Sequence, residues 1–178
     1  MHLVSVIVPC YNEQATIGLL LDALFKQTYP LQDMEVIVAD GMSSDNTRQV
    51  IEAYQLAHPK LKIVVVDNQR RIIPAGLNQA IRASSGEYIV RLDAHSVPYP
   101  DYVERCVTAL QAQLGDNVGG VWEIKPAGNG WMAKAIAAAA AHPLGVGDAF
   151  YRLGGTARSV DTVPFGAFRR NLVNQIGF

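Results

Sequence analysis

Five short apolar runs alternate with segments of helical periodicity along this chain, and few fold classes are compatible with that order. The runs cover residues 3–8, 36–39, 61–66, 88–92 and 118–124. Between the first two runs, apolar side chains recur three and four positions apart, as on one face of a helix, at Ile17, Leu20, Leu21 and Leu24. Strands that alternate with helices are typical of α/β proteins, and strands with little polar alternation are buried on both faces. We therefore predict an α/β fold with a mainly parallel central sheet and helices on both of its faces.

Local signals indicate where the helices begin and end. Residues 43–45, Ser-Ser-Asp, offer N-caps to the second helix. Pro74 suits the first turn of the third helix, and Gly86 is predicted to end it. A fourth helix is indicated by an apolar stripe at Val103, Cys106, Val107, Leu110 and Leu114. Beyond the fifth run, which two glycines weaken as a strand, we predict a helix over 131–141, a strand over 160–165 and a helix over 168–176.

The composition indicates one globular domain over residues 1–178. Of the 178 residues, 49% are hydrophobic and 17% are charged, and the formal net charge is −1. These values exclude a disordered chain and give no electrostatic reason to expect a nucleic acid as partner. The only cysteines, Cys10 and Cys106, fall in a predicted strand and on a predicted helix, so reduced, buried thiols are expected. No signal-peptide pattern or apolar stretch of the ~20 residues that span a membrane is present, so we expect a cytoplasmic location.

Polar residues cluster where three of the predicted strands end. Residues 9–13, Pro-Cys-Tyr-Asn-Glu, follow the first strand, Asp40-Gly41 follows the second, and Asp93-Ala94-His95 follows the fourth. Each cluster alone is compatible with an ordinary turn or helix cap. In open parallel sheets, however, ligands bind at the carboxyl ends of the strands. Three clusters at equivalent positions therefore predict one binding site at that edge.

The common nucleotide-binding loops are missing from this edge. The turn after the first strand contains no glycine, which excludes the dinucleotide fingerprint, and no phosphate-binding P-loop or nucleophile elbow occurs in the chain. A nucleotide bound here would be held by acidic side chains and a metal ion rather than by a glycine-rich loop.

Three segments together resemble the successive motifs of the family 2 glycosyltransferases, which have the GT-A fold. They are residues 4–13 (VSVIVPCYNE), 36–47 (VIVADGMSSDNT) and 86–95 (GEYIVRLDAH). Within that family, the Asp-Ala-His form and the later segment 160–170 (VDTVPFGAFRR) are most similar to the succinoglycan-biosynthesis protein ExoA group. The resemblance covers the chain and implies a donor-binding half at about 1–97 and the start of an acceptor half at about 98–178.

The resemblance implies that the site binds a nucleotide-diphosphate sugar, usually a UDP-sugar. Asp40 matches the acidic residue that reads the base, and Pro9 and Tyr11 match the residues that flank it. Glu13 is expected beside the ribose. Arg71 is the nearer match to the basic residue that reaches the nucleotide, with Arg70 as the alternative. The residues alone leave open that Tyr11 packs at the rim and that both arginines are ordinary solvated side chains.

The family's Asp-x-Asp metal motif corresponds to Asp93-Ala94-His95. Asp93 is expected to face the ribose or a divalent cation, Mn²⁺ or Mg²⁺, and His95 replaces the second carboxylate as a metal ligand. An imidazole suits Mn²⁺ better than Mg²⁺. The alternative for His95 is a helix-start cap beside Ser96.

The resemblance also implies an inverting displacement in which a carboxylate deprotonates a hydroxyl of a carbohydrate or lipid-linked acceptor. That base is expected beyond Phe178, in a longer protein at the inner face of the cell membrane that makes cell-surface polysaccharide. Asp148 and Asp161 are the remaining acids on the acceptor side, and neither is assigned as the base.

Two other functions are compatible with the same pattern. A nucleotidyltransferase also uses a parallel sheet and a metal-binding aspartate, although it normally carries a glycine-rich loop with a basic residue, which is absent here. A non-catalytic nucleotide-sugar binding domain would need no base.

Overall fold

The computed structural model describes residues 3–126, 128–142, 151 and 156–177. The strands are β1 (Val4–Cys10), β2 (Met34–Asp40), β3 (Lys62–Asp67), β4 (Tyr88–Arg91), β5 (Asn117–Val118) and β6 (Ala167–Arg169). The helices are α1 (Ile17–Phe25), α2 (Thr47–Ala57), α3 (Ile73–Ala83), α4 (Tyr102–Gln111), α5 (Trp131–Ala140) and α6 (Arg170–Ile176). The chain forms two compact units, one comprising Met1–Val118 with Phe165–Phe178 and the other Gly119–Pro164.

The described strands form a single mixed sheet with the order β3-β2-β1-β4-β6-β5. The pairs β3–β2, β2–β1 and β1–β4 are parallel, whereas β6 runs antiparallel to both β4 and β5. From β1 the chain winds outward to β2 and β3, then returns to place β4 on the other side of β1. This reversal is a topological switch point, where the connections diverge and leave a crevice at the carboxyl ends of β1 and β4.

Helices cover both faces of the sheet, as predicted. On one face, Val4, Val6 and Val8 of β1 pack in a core with residues of α1, α2 and α4. On the other face, Ile7 packs in a core with residues of α3 and α6. The alternation of side chains along a strand sends neighbouring residues to opposite faces, so an uninterrupted apolar strand can be buried by two helical layers. The predicted α/β class with a mainly parallel sheet is therefore confirmed.

The ends of two helices differ from the predictions. Helix α4 ends at Gln111, and Gln113 has a left-handed φ of 55°, so the chain turns away and leaves Leu114 75% exposed. Helix α3 ends at Ala83, before Gly86. Gly86 is required for packing instead, because a β-carbon there would lie 2.6 Å from the backbone nitrogen of Ser5.

The N-cap of the second helix also differs from the prediction. Helix α2 begins at Thr47 with Asn46 at the cap position, rather than with a cap at 43–45. The Asp45 carboxylate still accepts a hydrogen bond from the Thr47 backbone N–H at 3.0 Å.

The two late strands were predicted wrongly. The fifth strand pairs only at Asn117 and Val118, since the chain leaves the sheet at the two glycines that follow. Residues 160–165 form no strand. The strand is Ala167–Arg169, which takes up the first two residues of the helix predicted over 168–176, and the helix itself begins at Arg170. Phe165 has a φ of 51°, and its carbonyl accepts a hydrogen bond of 2.7 Å from the Tyr102 hydroxyl. Because the chain turns at Phe165, the residues that pair with β4 begin only at Ala167.

Candidate functional site

A pocket of about 150 Å³ lies at the switch point, at the carboxyl ends of the parallel strands. The strand ends lie side by side because the registers align them, with Cys10 opposite Asp40 and Asp40 opposite Asp67. The lining residues are Pro9, Cys10, Tyr11, Glu13, Gly41, Asn68, Arg71, Ile72, Ile73, Asp93, Ala94 and His95. The pocket thus lies at the edge where the sequence predicts a binding site.

The pocket contains most of the predicted site residues. Six of them line it, namely Pro9, Tyr11, Glu13, Arg71, Asp93 and His95. Between the two candidate arginines, Arg71 lines the pocket and Arg70 does not. Asp40 does not line the pocket either, whereas the next residue, Gly41, does.

The loops that follow β1 and β2 are joined by hydrogen bonds and form one rim. The Asn12 backbone N–H donates to Ser43 Oγ at 2.8 Å, and the Ser44 N–H donates to Asn12 Oδ1 at 2.8 Å. The Glu13 N–H donates to Thr47 Oγ1, also at 2.8 Å. Because the two loops hold each other, the side chains they carry keep a defined position beside the pocket.

Tyr11 presents its ring at this rim. The residue is 49% exposed, so about half of its surface is covered at the rim and the other half is open to solvent. A β-carbon at position 41 would lie 3.2 Å from Tyr11 Cδ2, so glycine allows the ring to lie close to the backbone of the β2 loop. An aromatic face at the mouth of a pocket provides a surface on which a planar base can stack.

Asp40 is fully buried and already bonded. Its Oδ2 accepts from Arg48 Nε at 2.6 Å and from the Ser43 N–H at 3.1 Å, and its Oδ1 accepts from Ser43 Oγ. Arg48 also reaches Asp67 Oδ1 at 2.6 Å, so it joins the ends of β2 and β3. Because Asp40 has no exposed surface, a base would reach its carboxylate only if the residues that cover it moved. Its assignment to base recognition stays a prediction.

Asn68 is a site residue that the sequence reasoning missed. It lines the pocket and is 5% exposed, and its Oδ1 has no hydrogen-bond partner in the described part of the chain. Its Nδ2 donates to the Ile72 carbonyl at 3.0 Å. A buried acceptor without a partner is costly, and such groups often mark a missing water or ligand. The signal was available, because Asn68 directly follows the third strand at the same edge.

Asp93 and His95 also line the pocket, and each has a side-chain partner. Asp93 Oδ1 is 3.2 Å from Arg91 Nη2, and His95 Nδ1 is 3.1 Å from Glu13 Oε1. His95 does not cap a helix, because α4 begins at Tyr102 with Asp101 in the cap position. Ser96 Oγ donates instead to the Asp93 carbonyl at 2.7 Å.

These groups fit a divalent cation only when the ligand supplies oxygens as well. No cluster of three His, Cys, Asp or Glu side chains suited to a metal occurs among residues 3–126, 128–142, 151 and 156–177. Mg²⁺ and Mn²⁺ in nucleotide sites are commonly held by one or two protein groups together with phosphate oxygens and water. A carboxylate and an imidazole lining one pocket match that donor set.

The two cysteines and the two acids Asp148 and Asp161 complete the set of residues that the sequence analysis considered. Cys10 and Cys106 are buried free thiols, as predicted, and burial raises the pKa of Cys10, a lining residue, to about 12. The Cys10 thiol is therefore protonated at neutral pH. Asp161 is exposed in the unit Gly119–Pro164, and Asp148 lies outside the described residues.

None of the described helices has the length and apolar character needed to cross a membrane.

Comparison with known sequences agrees with the motif analysis. The family model described as glycosyl transferase family 2 matches residues 5–177. Glycosyltransferase AglE of Haloferax volcanii is 37% identical over 117 residues, which are 66% of this chain and 38% of that protein. Succinoglycan biosynthesis protein ExoA of Rhizobium meliloti is 34% identical over 151 residues, 84% of this chain and 44% of that protein. The chain thus spans less than half the length of these relatives.

Comparison with solved structures shows the same fold. Mannosyltransferase PcManGT from Pyrobaculum calidifontis, solved with GDP-Man and Mn²⁺, is 28% identical and superposes with a TM-score of 0.74 over 98% of this chain and 46% of its own. Residues 1–349 of Staphylococcus aureus TarS superpose with a TM-score of 0.71 at 23% identity, over 98% of this chain and 49% of that one. The sheet and its flanking helices match GT-A glycosyltransferases.

Proposed function

Because the chain belongs to the family 2 glycosyltransferases, we propose that its pocket binds a nucleotide-diphosphate sugar as the donor of a glycosyl transfer. The observation that carries this proposal is the convergence, in one pocket, of an exposed aromatic ring, a buried unpartnered acceptor, an arginine and an Asp–His pair. These groups match the base, the phosphates and the phosphate-bound cation of such a donor.

We assign base recognition to Tyr11 and Asn68. The base would stack on the exposed Tyr11 ring, and the Asn68 carbonyl oxygen would accept a hydrogen bond from a ring N–H of uracil or guanine. Asp40 would support this subsite through the Ser43 turn and the bridge to Arg48. UDP is the nucleotide that the motif resemblance implies. GDP is the second candidate, because the PcManGT structure holds GDP-Man.

The diphosphate is assigned to Arg71, Asp93 and His95. Arg71 has a left-handed φ of 56°, and among the described residues its guanidinium makes no hydrogen bond or salt bridge, so it is available to the phosphates. Asp93 and His95 would hold the cation together with phosphate oxygens. A bound cation would stabilise the negative charge that develops on the leaving nucleotide.

We propose an inverting displacement by a hydroxyl of a carbohydrate or lipid-linked acceptor, in polysaccharide synthesis at the cytoplasmic face of the membrane. The similarity to the succinoglycan biosynthesis protein ExoA supports the part of this proposal that concerns polysaccharide synthesis. We propose residues 1–97 as the donor half and 98–178 as the start of the acceptor half, and assign the acceptor-activating base to no described residue.

Calorimetric titration tests the donor site directly. UDP-glucose and GDP-mannose are titrated separately, first with Mn²⁺ and then with EDTA, and we expect one of them to bind at least ~10-fold more tightly with Mn²⁺. Asp93→Asn should remove most of the Mn²⁺ effect. Asp101→Asn, at an exposed aspartate paired with Arg105, is the matched control and should bind as the unmodified protein does.

The two parts of the proposal fail separately. Equal binding in Mn²⁺ and EDTA contradicts the role of the cation but leaves the donor site. No binding of either nucleotide contradicts the donor site itself.

A further inference from the structure

We propose that Glu13 is a positioning residue for His95: its carboxylate holds the imidazole in the Nδ1–H tautomer and so leaves Nε2 free as a ligand. The proposed function assigns His95 to the cation and phosphate subsite, and the role of Nε2 as a ligand rests on that function. The tautomer and orientation of His95 rest only on the contact between the two side chains.

The contact determines which nitrogen of His95 carries the proton. Glu13 Oε1 lies 3.1 Å from His95 Nδ1. An ionised carboxylate can only accept hydrogen bonds, so Nδ1 must donate. In the neutral imidazole the other nitrogen, Nε2, then holds an unshared electron pair, which is what a metal ion or a phosphate-bound water requires. Histidines that bind metals commonly donate their second ring N–H to a carboxylate in this way.

Glu13 is itself held in place, so it can orient its partner. Its Oε2 accepts a hydrogen bond from Thr16 Oγ1, and its backbone N–H donates to Thr47 Oγ1 at 2.8 Å. Its carbonyl accepts from the Thr16 and Ile17 N–H groups at 3.0 Å and 2.9 Å, at the start of α1. Both carboxylate oxygens therefore have partners, and the backbone that carries them is anchored at the β1–α1 turn.

His95 needs such a partner more than a buried residue would. Its side chain is 60% exposed, whereas that of Glu13 is 24% exposed, so little packing restricts the ring. A pair this exposed contributes little to stability, and a stabilising role would not explain it. The contact joins the end of β1 to the loop after β4, two strands that are neighbours in the sheet. Both residues line the same pocket.

Nitrogen NMR of the ligand-free protein tests the tautomer without any substrate. The chain has four histidines, so ¹⁵N-histidine labelling gives four ring systems, which single His→Gln variants assign. At pH 8.5, where an ordinary imidazole is neutral, we expect His95 to show a protonated Nδ1 and a bare Nε2. In Glu13→Ala the ring should shift toward the Nε2–H tautomer. His58, whose Nδ1 lies 3.2 Å from the Tyr54 carbonyl, is the internal reference and should not change.

Titration of the same variants measures the consequence. Glu13→Ala should weaken the Mn²⁺-dependent binding of UDP or GDP by about 10-fold or more, the usual effect of losing a residue that orients a metal ligand. The loss should be larger in Mn²⁺ than in EDTA, because only the cation-dependent part of the affinity depends on the orientation of His95. Glu52→Ala removes a carboxylate from an exposed position of α2 and should match the unmodified protein in both measurements.

The results separate this proposal from the proposed function. If the unmodified protein shows the Nδ1–H tautomer but binds neither nucleotide, the donor site fails while the positioning of His95 stands. An Nε2–H tautomer in the unmodified protein overturns the positioning role. It is overturned equally if Glu13→Ala leaves both the tautomer and the Mn²⁺-dependent affinity unchanged.

Discussion

Glu35 should make the stability of the fold depend on pH, and Glu35→Gln should remove that dependence. The carboxylate is 1% exposed at the start of β2. Its Oε1 accepts from Ser5 Oγ at 2.8 Å and from the Ser85 N–H and Oγ at 2.6 Å and 2.8 Å, and Lys62 Nζ lies 2.9 Å from Oε2. Burial alone raises the pKa of the Glu35 carboxyl, but Lys62, Ser85 and Ser5 together outweigh it and lower the pKa from 4.5 to about 2.

The size and sign of the effect follow from that difference. A pKa lowered from 4.5 to about 2 corresponds to about 3 kcal/mol of unfolding free energy. Because the Lys62 side chain is 50% exposed, solvent screening reduces our expectation to about 2 kcal/mol. The unfolded chain takes up the proton first as the pH falls. The contribution is therefore complete above about pH 5 and is lost as the pH falls toward 2.

Urea unfolding between pH 6 and pH 2.5 provides the measurement. Glu35→Gln should be about 2 kcal/mol less stable than the unmodified protein at pH 6, and the difference should shrink to below about 1 kcal/mol at pH 2.5. Glu52→Gln makes the same chemical change at an exposed position and should cost less than about 0.5 kcal/mol. A Glu35→Gln difference that stays constant over this pH range would refute the reasoning, because a carboxylate bonded in the folded state must produce the pH dependence.

Other parts of the structure predict further outcomes. Arg48→Met should lower the unfolding free energy by about 2–4 kcal/mol in urea, because it leaves the buried Asp40 carboxylate without its counter-charge; a loss as small as that of Arg105→Met, at an exposed pair, would contradict this. Tyr11→Ala should weaken nucleotide binding about 10-fold or more in calorimetry, since base stacking is worth about 1–3 kcal/mol, and an effect no larger than that of Tyr11→Phe would exclude stacking. His95→Asp should raise the affinity for Mg²⁺ relative to Mn²⁺ in the presence of nucleotide, because carboxylate oxygens suit the harder ion; an unchanged ratio would show that His95 does not contact the cation. Both cysteine thiols, whose pKa values are raised by burial, should react with a disulfide reagent only after unfolding, and reaction in the native protein at pH 8 would show that they are accessible.

Periodicity alone was sufficient for the central part of the fold. Strands β1 to β4 and helices α1 to α4 overlap the segments that the apolar patterns indicate. An unbroken apolar run indicates a strand buried on both faces, and a repeat of about 3.6 residues indicates one face of a helix. The motifs at the strand ends were likewise enough to identify the family. These features can be read from neighbouring residues, so the sequence by itself determined them.

Tertiary contacts decided the late strands. The antiparallel strand Ala167–Arg169 pairs with Tyr88–Val90, about eighty positions earlier, and no local pattern indicates which residues meet that edge. The turn at Phe165 sets where the strand begins, and it depends on a hydrogen bond from Tyr102 of a different helix. Pairing between distant segments replaced the predicted helix by a strand only at Phe168 and Arg169, whereas Arg170–Ile176 is helical as predicted.

The same distinction applies to the site. The sequence by itself determined which edge of the sheet carries the polar residues, since parallel strands place their carboxyl ends together. Only the tertiary structure decided that Asp40 is enclosed by Arg48 and Ser43 while Asn68 keeps a buried acceptor without a partner. It also decided that Glu13 meets His95, 82 positions away. Hydrogen bonds between such distant side chains depend on distances of a few tenths of an ångström, which residue types and spacing do not specify.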